Sequence, residues 1–151
     1  MKVRDLMVRT VVSCTADTTL AQAAELMHAH NCGALPVVDA AGRVYGMVTD
    51  RDICMGVAPR HLPPAHIAVR EVMAHRVHAC GPDDDVLVTL ATMRGHGVRR
   101  LPVIDDSGHL EGIVSVSDVI RVEGRAGVPE HEILDTLREI STKGHQPVIA
   151  G

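Results

Sequence analysis

Leu35-Pro36-Val37-Val38-Asp39 returns sixty-six residues later as Leu101-Pro102-Val103-Ile104-Asp105. Followed outwards, the offset does not drift. Val3-Arg4 answers Val69-Arg70, Met7 answers Met73, Val11 answers Val77 and Cys14 answers Cys80. Asp17 pairs with Asp83, Met27 with Met93 and His30 with His96. Beyond the centre, Gly42 pairs with Gly108, Gly46 with Gly112, Val48 with Val114 and Asp52 with Asp118. The alignment of residues 3–53 on 69–119 needs no gap and holds 16 identities in 51 pairs, so the chain is a tandem duplication.

Outside this repeat, composition sets limits. A chain of 151 residues, 46% hydrophobic and 23% charged, is an ordinary globular composition, enough for one compact domain or two small modules sharing a core. It has no Phe, no Trp and a single Tyr45, so the core must be built from Val, Leu, Ile, Ala and Met. Without aromatic stacking platforms, and with a net charge of −4, nucleic acid is not an expected partner. Cys14, Cys32, Cys54 and Cys80 form no C-x-x-C pair and read as buried or partly buried thiols. No apolar segment follows Met1-Lys2-Val3-Arg4-Asp5 and no stretch has membrane-spanning length; a cytoplasmic protein without a membrane partner is expected.

In chain order, residues 3–7 suggest a helical turn leading to a small strand at Val11-Val12-Ser13. Thr19-Leu20-Ala21-Gln22 fits a capping box, and Leu20, Ala23, Ala24 and Met27 recur at helical spacing until Asn31-Cys32-Gly33 ends the helix. Residues 34–38 read as a buried strand, Asp39-Ala40-Ala41-Gly42 as a turn, 44–48 as the returning strand, and Thr49-Asp50 as a helix start. Pro59, Pro63 and Pro64 mark a linker. The second copy repeats the plan: a strand near Val77, a helix from Asp84-Asp85 to about Arg94, strands at 100–104 and 110–114, and a helix from Ser115. The expected organisation is a first repeat at 1–55, a linker at 56–68, a second repeat at 69–123, and a C-terminal helix and tail at 124–151. Each repeat is β-α-β-β-α, so the fold class is α/β (α+β), with two repeats packed pseudo-symmetrically as one body. Residues 124–127 loosen the chain. An amphipathic helix over 129–140 carries Ile133, Leu134, Leu137 and Ile140 on one stripe, and a weakly ordered tail follows from Lys143.

After the second strand of each repeat stand Gly46-Met47-Val48-Thr49-Asp50-Arg51-Asp52 and Gly112-Ile113-Val114-Ser115-Val116-Ser117-Asp118. Each has a hydroxyl at the strand-to-helix turn and a carboxylate three residues on. Read locally, Ser/Thr-x-x-Asp is a capping box in which the acid suits the helix dipole. Read as a site, the free N–H groups of a helix start suit phosphate, a carboxylate can accept from both ribose hydroxyls, and Met47 or Ile113 offers apolar surface for a base.

The doubled Leu-Pro-Val-hydrophobic-Asp, followed by Gly-hydrophobic-hydrophobic-Ser/Thr-x-x-Asp, resembles a tandem pair of CBS domains, a Bateman module, of the stand-alone bacterial type. The resemblance covers nearly all of residues 3–122. It implies two pseudo-symmetric clefts between the repeats for adenosyl ligands such as AMP, ADP, ATP, NAD or S-adenosylmethionine. One cleft would use Ile113, Ser115, Ser117 and Asp118, with Arg99 and Arg100 towards phosphate and Thr10, Val12, Cys32, Gly33 and Ala34 entering from the first copy. The other would use Met47, Thr49, Arg51 and Asp52, facing Arg76, His78, Val98 and Arg99. Asp52 and Asp118 would hold ribose hydroxyls. The resemblance further implies a regulatory module that leaves its ligand unaltered and passes the signal to a partner protein, and a homodimer formed through helical faces.

Gly33-Ala34 in the first copy is Arg99-Arg100 in the second. A guanidinium is a planar multi-donor that suits phosphate, so the cleft holding Asp118 is expected to be the better nucleotide site. Alternation along a strand turns the two arginines to opposite faces. Both could instead be a solvated pair at a strand start. Ten histidines invite a metal, yet His28-x-His30-x-Cys32 and His75-x-x-His78-x-Cys80 lack the paired spacing of zinc sites, and no metal is expected. His30 and His96 suit a shared packing or helix-end role, Asp83-Asp84-Asp85 a helix start, and Met27, Met47 and Met93 core gaps. No nucleophile–base signature, Walker loop or G-x-G-x-x-G is present, so no enzymatic activity is expected. Two other functions stay open: an interaction subunit with empty clefts, and a redox- or metal-responsive protein using the thiols and histidines.

Overall fold

The computed structural model describes residues 1–122 and 127–143. Its helices begin where the sequence supplies caps. Helix α1 (Leu20–Ala29) starts at Thr19, whose hydroxyl accepts from the Gln22 amide at 3.1 Å while Gln22 Oε1 accepts from the Thr19 amide at 3.0 Å. Strand β1 (Ala34–Val38) then pairs antiparallel with β2 (Val44–Thr49), from Ala34 opposite Thr49 to Val38 opposite Val44. The turn between them is made by Asp39, whose Oδ1 accepts from the amides of Ala41 and Arg43 at 2.9 Å each. Gly42 occupies the positive φ (81°) that the turn demands. Helix α2 (Asp50–Val57) follows directly. The second copy supplies α3 (Val86–His96), the hairpin of β3 (Arg100–Ile104) and β4 (Leu110–Ser115), and α4 (Val116–Arg121). Last comes α5 (Glu130–Lys143).

The chain divides into two compact units. The first-repeat unit comprises Thr10–Val77 with Ser107–Leu110; the second-repeat unit comprises Met1–Arg9, His78–Asp106 and the described residues from Glu111 onward. Each has its own aliphatic core. Leu20, Leu35, Val37, Val48, Ile67 and Val69 are fully enclosed in the first; Val3, Leu90, Met93, Val103 and Val114 in the second.

The units do not coincide with the sequence repeats, because the lead-in segments are exchanged. Val69 and Met73, which open the second copy, lie in the first-repeat core, and Val3 and Met7 lie in the second-repeat core. The repeated glycines explain how the segments seat. Met47 and Ala74 exchange backbone hydrogen bonds of 3.1 and 2.9 Å, as do Val8 and Ile113 at 2.9 and 3.0 Å. A Cβ on Gly46 would stand 2.9 Å from Met73 Sδ, and one on Gly112 would stand 2.9 Å from the Val8 carbonyl. Gly112 must therefore be bare, and a methyl on Gly46 would displace the Met73 tip.

Three expectations are corrected. No strand forms at Val11-Val12-Ser13 or around Val77; only Cys14 and Cys80 pair, in parallel, with Val37 and Val103. Cys14 bonds to the Pro36 carbonyl (3.0 Å) and the Val38 amide (2.9 Å), and Cys80 does the same with Pro102 and Ile104. Extending either pairing backwards would need an N–H from Pro36 or Pro102, which proline lacks. The linker expected at 56–68 is partly structural: α2 continues to Val57, and Ile67 is fully buried. On α5 the buried row is Ile133, Thr136 and Ile140, with Leu137 half-buried, while Leu134 is 42% exposed. Leu134 lies about 100° around the helix from Ile133, outside that row. The loosening expected at 124–127 falls largely outside the described residues, as does the weakly ordered tail expected from Lys143, except that Lys143 itself ends α5.

Candidate functional site

The local reading of Ser/Thr-x-x-Asp is realised in both copies. At α2, the Thr49 amide donates to Asp52 Oδ2 at 2.9 Å and the Asp52 amide donates to Thr49 Oγ1 at 3.1 Å. At α4, Asp118 Oδ2 accepts from the Ser115 amide (2.8 Å) and hydroxyl (2.6 Å), and the Asp118 amide reaches Ser115 Oγ at 3.3 Å. The cap consumes one oxygen of each acid and leaves the other. Asp52 Oδ1 has no partner among the described residues. Asp118 Oδ1 accepts from the Arg121 guanidinium at 3.1 Å, although that arginine is 73% exposed and the acid only 8%. A cap and a hydroxyl-binding carboxylate are thus compatible uses of one side chain. Acids at these helix starts also sit where the backbone dipole favours negative charge.

The nominated residues fall into two groups. Thr10, Val12, Cys32, Gly33, Ala34, Met47, Thr49, Arg51, Asp52 and Arg76 belong to the first-repeat unit. His78, Val98, Arg99, Arg100, Ile113, Ser115, Ser117 and Asp118 belong to the second. Met47 and Ile113 are half-buried at equivalent places, each held by the lead-in that crosses its strand. Thr10, Arg51, Arg76, Arg99 and Ser117 are exposed, whereas Ala34 is buried. Arg99 precedes β3 and Arg100 begins it; the first is exposed and the second half-buried, as alternation requires.

The arginines sort by commitment. Arg4, Arg43, Arg70, Arg94, Arg121 and Arg138 pair with Asp83, Asp39, Asp17, Glu132, Asp118 and Asp135. Arg9 and Arg60 donate to backbone carbonyls. Arg51, Arg76, Arg99 and Arg100 have no side-chain partner among the described residues. These four are the arginines that the sequence nominated.

Other polar groups have structural roles. The acid of the opening motif is spent on its turn: the Arg43 amide above all, then the Ala41 amide and the Arg43 guanidinium, hold the Asp39 carboxyl below its ordinary range. Burial pushes the Cys14 thiol up to about 11 and, with the Asp84 charge adding to it, the Cys80 thiol up to about 12. Cys54 corrects the expectation of buried thiols: it is exposed, a quarter-turn away from the Ile53–Val57 row that packs on the core. His30 caps α1 and His96 is the last residue of α3, the helix-end role expected of them. Sequence reading missed the stacking of His96 on His78, with ring centroids 3.5 Å apart and planes 14° from parallel. It also missed Asp50, whose carboxylate overhangs Gly33; the replacement of Asp50 by Val116 in the second copy was the available signal. Among the described residues, no group of three or more His, Cys, Asp or Glu side chains is arranged to hold a metal. No described helix is long and apolar enough to cross a membrane.

Comparison with known proteins places this geometry. A family model for the CBS domain matches residues 3–58 and 69–125. Hypoxic response protein 1 of Mycobacterium tuberculosis is 33% identical over 137 residues, covering 91% of this chain and 92% of its own. The crystal structure of Hypoxic Response Protein I, described with two coordinated zinc ions, superposes with a TM-score of 0.73 at 32% identity, over 85% of this chain and all of that one. The conserved CBS domain protein TA0289 of Thermoplasma acidophilum superposes with a TM-score of 0.80 at 27% identity, covering 94% of this chain and 77% of that one. The CBS domain pair of protein MJ0100, in complex with 5-methylthioadenosine and S-adenosyl-L-methionine, gives 0.75 at 26% identity, over 83% and 97% of the two chains. The chain spans only 59% of another relative, the Methanopyrus kandleri protein MK0525, at 30% identity over 115 residues. With both repeats matched and the two-unit architecture shared, the chain belongs to the CBS domain family, as a tandem pair of CBS domains.

Proposed function

We propose that this CBS pair is a regulatory module that binds an adenosyl ligand, without converting it, at its repeated hydroxyl–acid positions. The observation that carries the reading is the commitment of the arginines. Six are neutralised by carboxylates, whereas Arg51, Arg76, Arg99 and Arg100 keep their donors free among the described residues, Arg51 between Thr49 and Asp52 and Arg99 bonded through its carbonyl to the residue after Ser115. A guanidinium with no internal partner can bind phosphate without first breaking an ion pair. The free Oδ1 of Asp52 and the weakly held Oδ1 of Asp118 suit ribose hydroxyls. The MJ0100 pair, bound to methylthioadenosine and S-adenosylmethionine, supports the ligand class; AMP, ADP, ATP and NAD are its phosphate-bearing members. Ligand would act through unequal affinity for two states of the module, and a partner protein would read the change. The reading includes a cytoplasmic homodimer associating through helical faces; Leu87 and Val88 on α3, 40% and 61% exposed, suit such a face.

A thermal-shift screen with AMP, ADP, ATP, NAD and S-adenosylmethionine tests this, run on the wild type and Asp118→Ala. Because Asp118 caps α4, the variant starts from a lower baseline, so the ligand-induced increment is the quantity to compare. Ligand at a hundredfold excess over its Kd should add about 2.7 kcal/mol, or roughly 5–10 °C in a chain of this size. The increment should shrink strongly in Asp118→Ala. If none of the five ligands shifts nucleotide-free protein, the clefts are empty and the interaction-subunit reading replaces this one.

A further inference from the structure

The two repeats share one backbone frame at the proposed ligand positions but carry opposite charge on it. The Asp50 amide donates to the Gly33 carbonyl at 3.0 Å, and the Val116 amide donates to the Arg99 carbonyl, also at 3.0 Å. In the second copy the side chains on this frame are the exposed guanidinium of Arg99 and the buried isopropyl of Val116. In the first copy Gly33 has no side chain, and the exposed Asp50 carboxylate occupies the space beside it. A Cβ on Gly33 would lie 2.9 Å from Asp50 Oδ2 and 3.4 Å from Cγ. Asp50 Oδ1 accepts from the Arg51 amide at 2.8 Å, while Oδ2 has no partner among the described residues. No cation lies within ion-pair distance of Asp50 among those residues; the Arg51 guanidinium adjoins it in sequence, and the titratable His28 and Cys32 share its depression. The carboxylate opens on a depression of about 380 Å³ within the first-repeat unit, whose wall also includes Met27, His28, Asn31, Cys32 and Gly33.

We infer that the Asp50 carboxylate, beside Gly33 in the first-repeat unit, favours a positively charged ligand group, an ammonium or a sulfonium, and disfavours phosphate where the ligand borders it, whereas the Arg99 guanidinium on the equivalent frame of the second-repeat unit has the reverse preference. The inference rests on the adenosyl-ligand reading above and adds charge selection to it. A carboxylate repels a phosphate brought against it and attracts a cation in the same place, and the bare Gly33 lets the ligand approach the carboxylate closely. The sulfur atoms of Met27 and Cys32 give the depression polarizable surface, which suits an alkylated cation. Because Asp50 is exposed, solvent screens the effect, and a preference of about threefold to fivefold is expected.

The test is calorimetric titration of the full chain with S-adenosylmethionine, methylthioadenosine and AMP, comparing the wild type with Asp50→Asn, Asp50→Arg and Asp118→Ala. Methylthioadenosine keeps the adenosine and loses both positive groups of S-adenosylmethionine. Asparagine keeps the shape of Asp50 and the acceptor for the Arg51 amide. The wild type should prefer S-adenosylmethionine to methylthioadenosine by about threefold to fivefold. Asp50→Asn should abolish that gap without weakening AMP, and Asp50→Arg should tighten AMP. An unchanged gap in Asp50→Asn overturns the inference, as does a wild type with no preference. If AMP or methylthioadenosine still binds in an Asp118-dependent way in those cases, the adenosyl reading survives and charge selection alone fails. If no ligand binds any of the proteins, both fail.

Discussion

Replacing Gly112 by Ala should unseat the lead-in segment from β4. The new methyl would stand 2.9 Å from the Val8 carbonyl oxygen, 3.0 Å from Met7 Sδ and 3.3 Å from Met7 Cγ. The thioether can swing aside, but the carbonyl cannot, because it accepts from the Ile113 amide at 3.0 Å and the Val8 amide donates back to Ile113 at 2.9 Å. Relief requires both hydrogen bonds to lengthen while Val3 and Met7 shift in the core. Overpacking costs about 1–3 kcal/mol and each weakened hydrogen bond up to about 1 kcal/mol. Against this, Ala restricts the unfolded chain and returns roughly 0.4–1 kcal/mol. The net loss should be about 1–3 kcal/mol, seen as a lower urea midpoint with an unchanged slope in far-ultraviolet circular dichroism. Gly46→Ala is the control: its tightest neighbour is the Met73 Sδ tip at 2.9 Å, and the Ala74 carbonyl is further off at 3.3 Å. It should lose less. A Gly112→Ala protein within about 0.5 kcal/mol of the wild type, or one no worse than Gly46→Ala, would refute the seating argument.

Two further outcomes follow from burial. Ile140→Ala, at a site 4% exposed, should cost about 2–5 kcal/mol, while Leu134→Ala, 42% exposed, should change stability by less than about 0.5 kcal/mol; urea melts decide, and equal losses would mean that α5 docks on another face. Cys14 and Cys80 titrate near 11 and 12 in the folded protein against 9.0 for an unperturbed thiol. Between those values the folded state holds protons that the unfolded chain has released, so stability should be full below pH 9 and fall as pH rises from about 9 towards 12. Melts at pH 8 and 10.5 should differ more for the wild type than for the Cys14→Ala, Cys80→Ala double variant, and equal slopes would count against thiol burial as the cause.

Most elements were legible because each is signalled locally: Thr19 and Gln22 cap α1, apolar runs bounded by Asp39 and Gly42 make a hairpin, and a hydroxyl–acid pair opens α2 and α4. The misread strands at Val11-Val12-Ser13 and near Val77 fail for a reason also written in the sequence, the missing N–H of Pro36 and Pro102, but it matters only once Cys14 is known to lie beside Val37. The exchange of lead-ins was not legible. Val3 and Val69 are identical, as are Met7 and Met73, so the pattern is the same whichever core receives them. The candidate site was legible in its residue types and not in its pairings. That Asp118 is held by Arg121 while Arg99 stays free depends on neighbours that spacing along the chain does not report.

The exchanged lead-ins bear on the joining of the two copies. Cutting the chain between Val57 and Pro63 would give two fragments, each lacking the segment that fills its groove and carrying the segment that fills the other's. Neither would be whole alone, yet mixing them would restore every contact described for Val3, Met7, Val69 and Met73. Because Val3 matches Val69 and Met7 matches Met73, either lead-in is chemically suited to either groove, and joining the copies in one chain keeps each lead-in at hand for the other copy. A single chain also lets the two copies carry different residues at equivalent places, as Gly33 and Arg99 do.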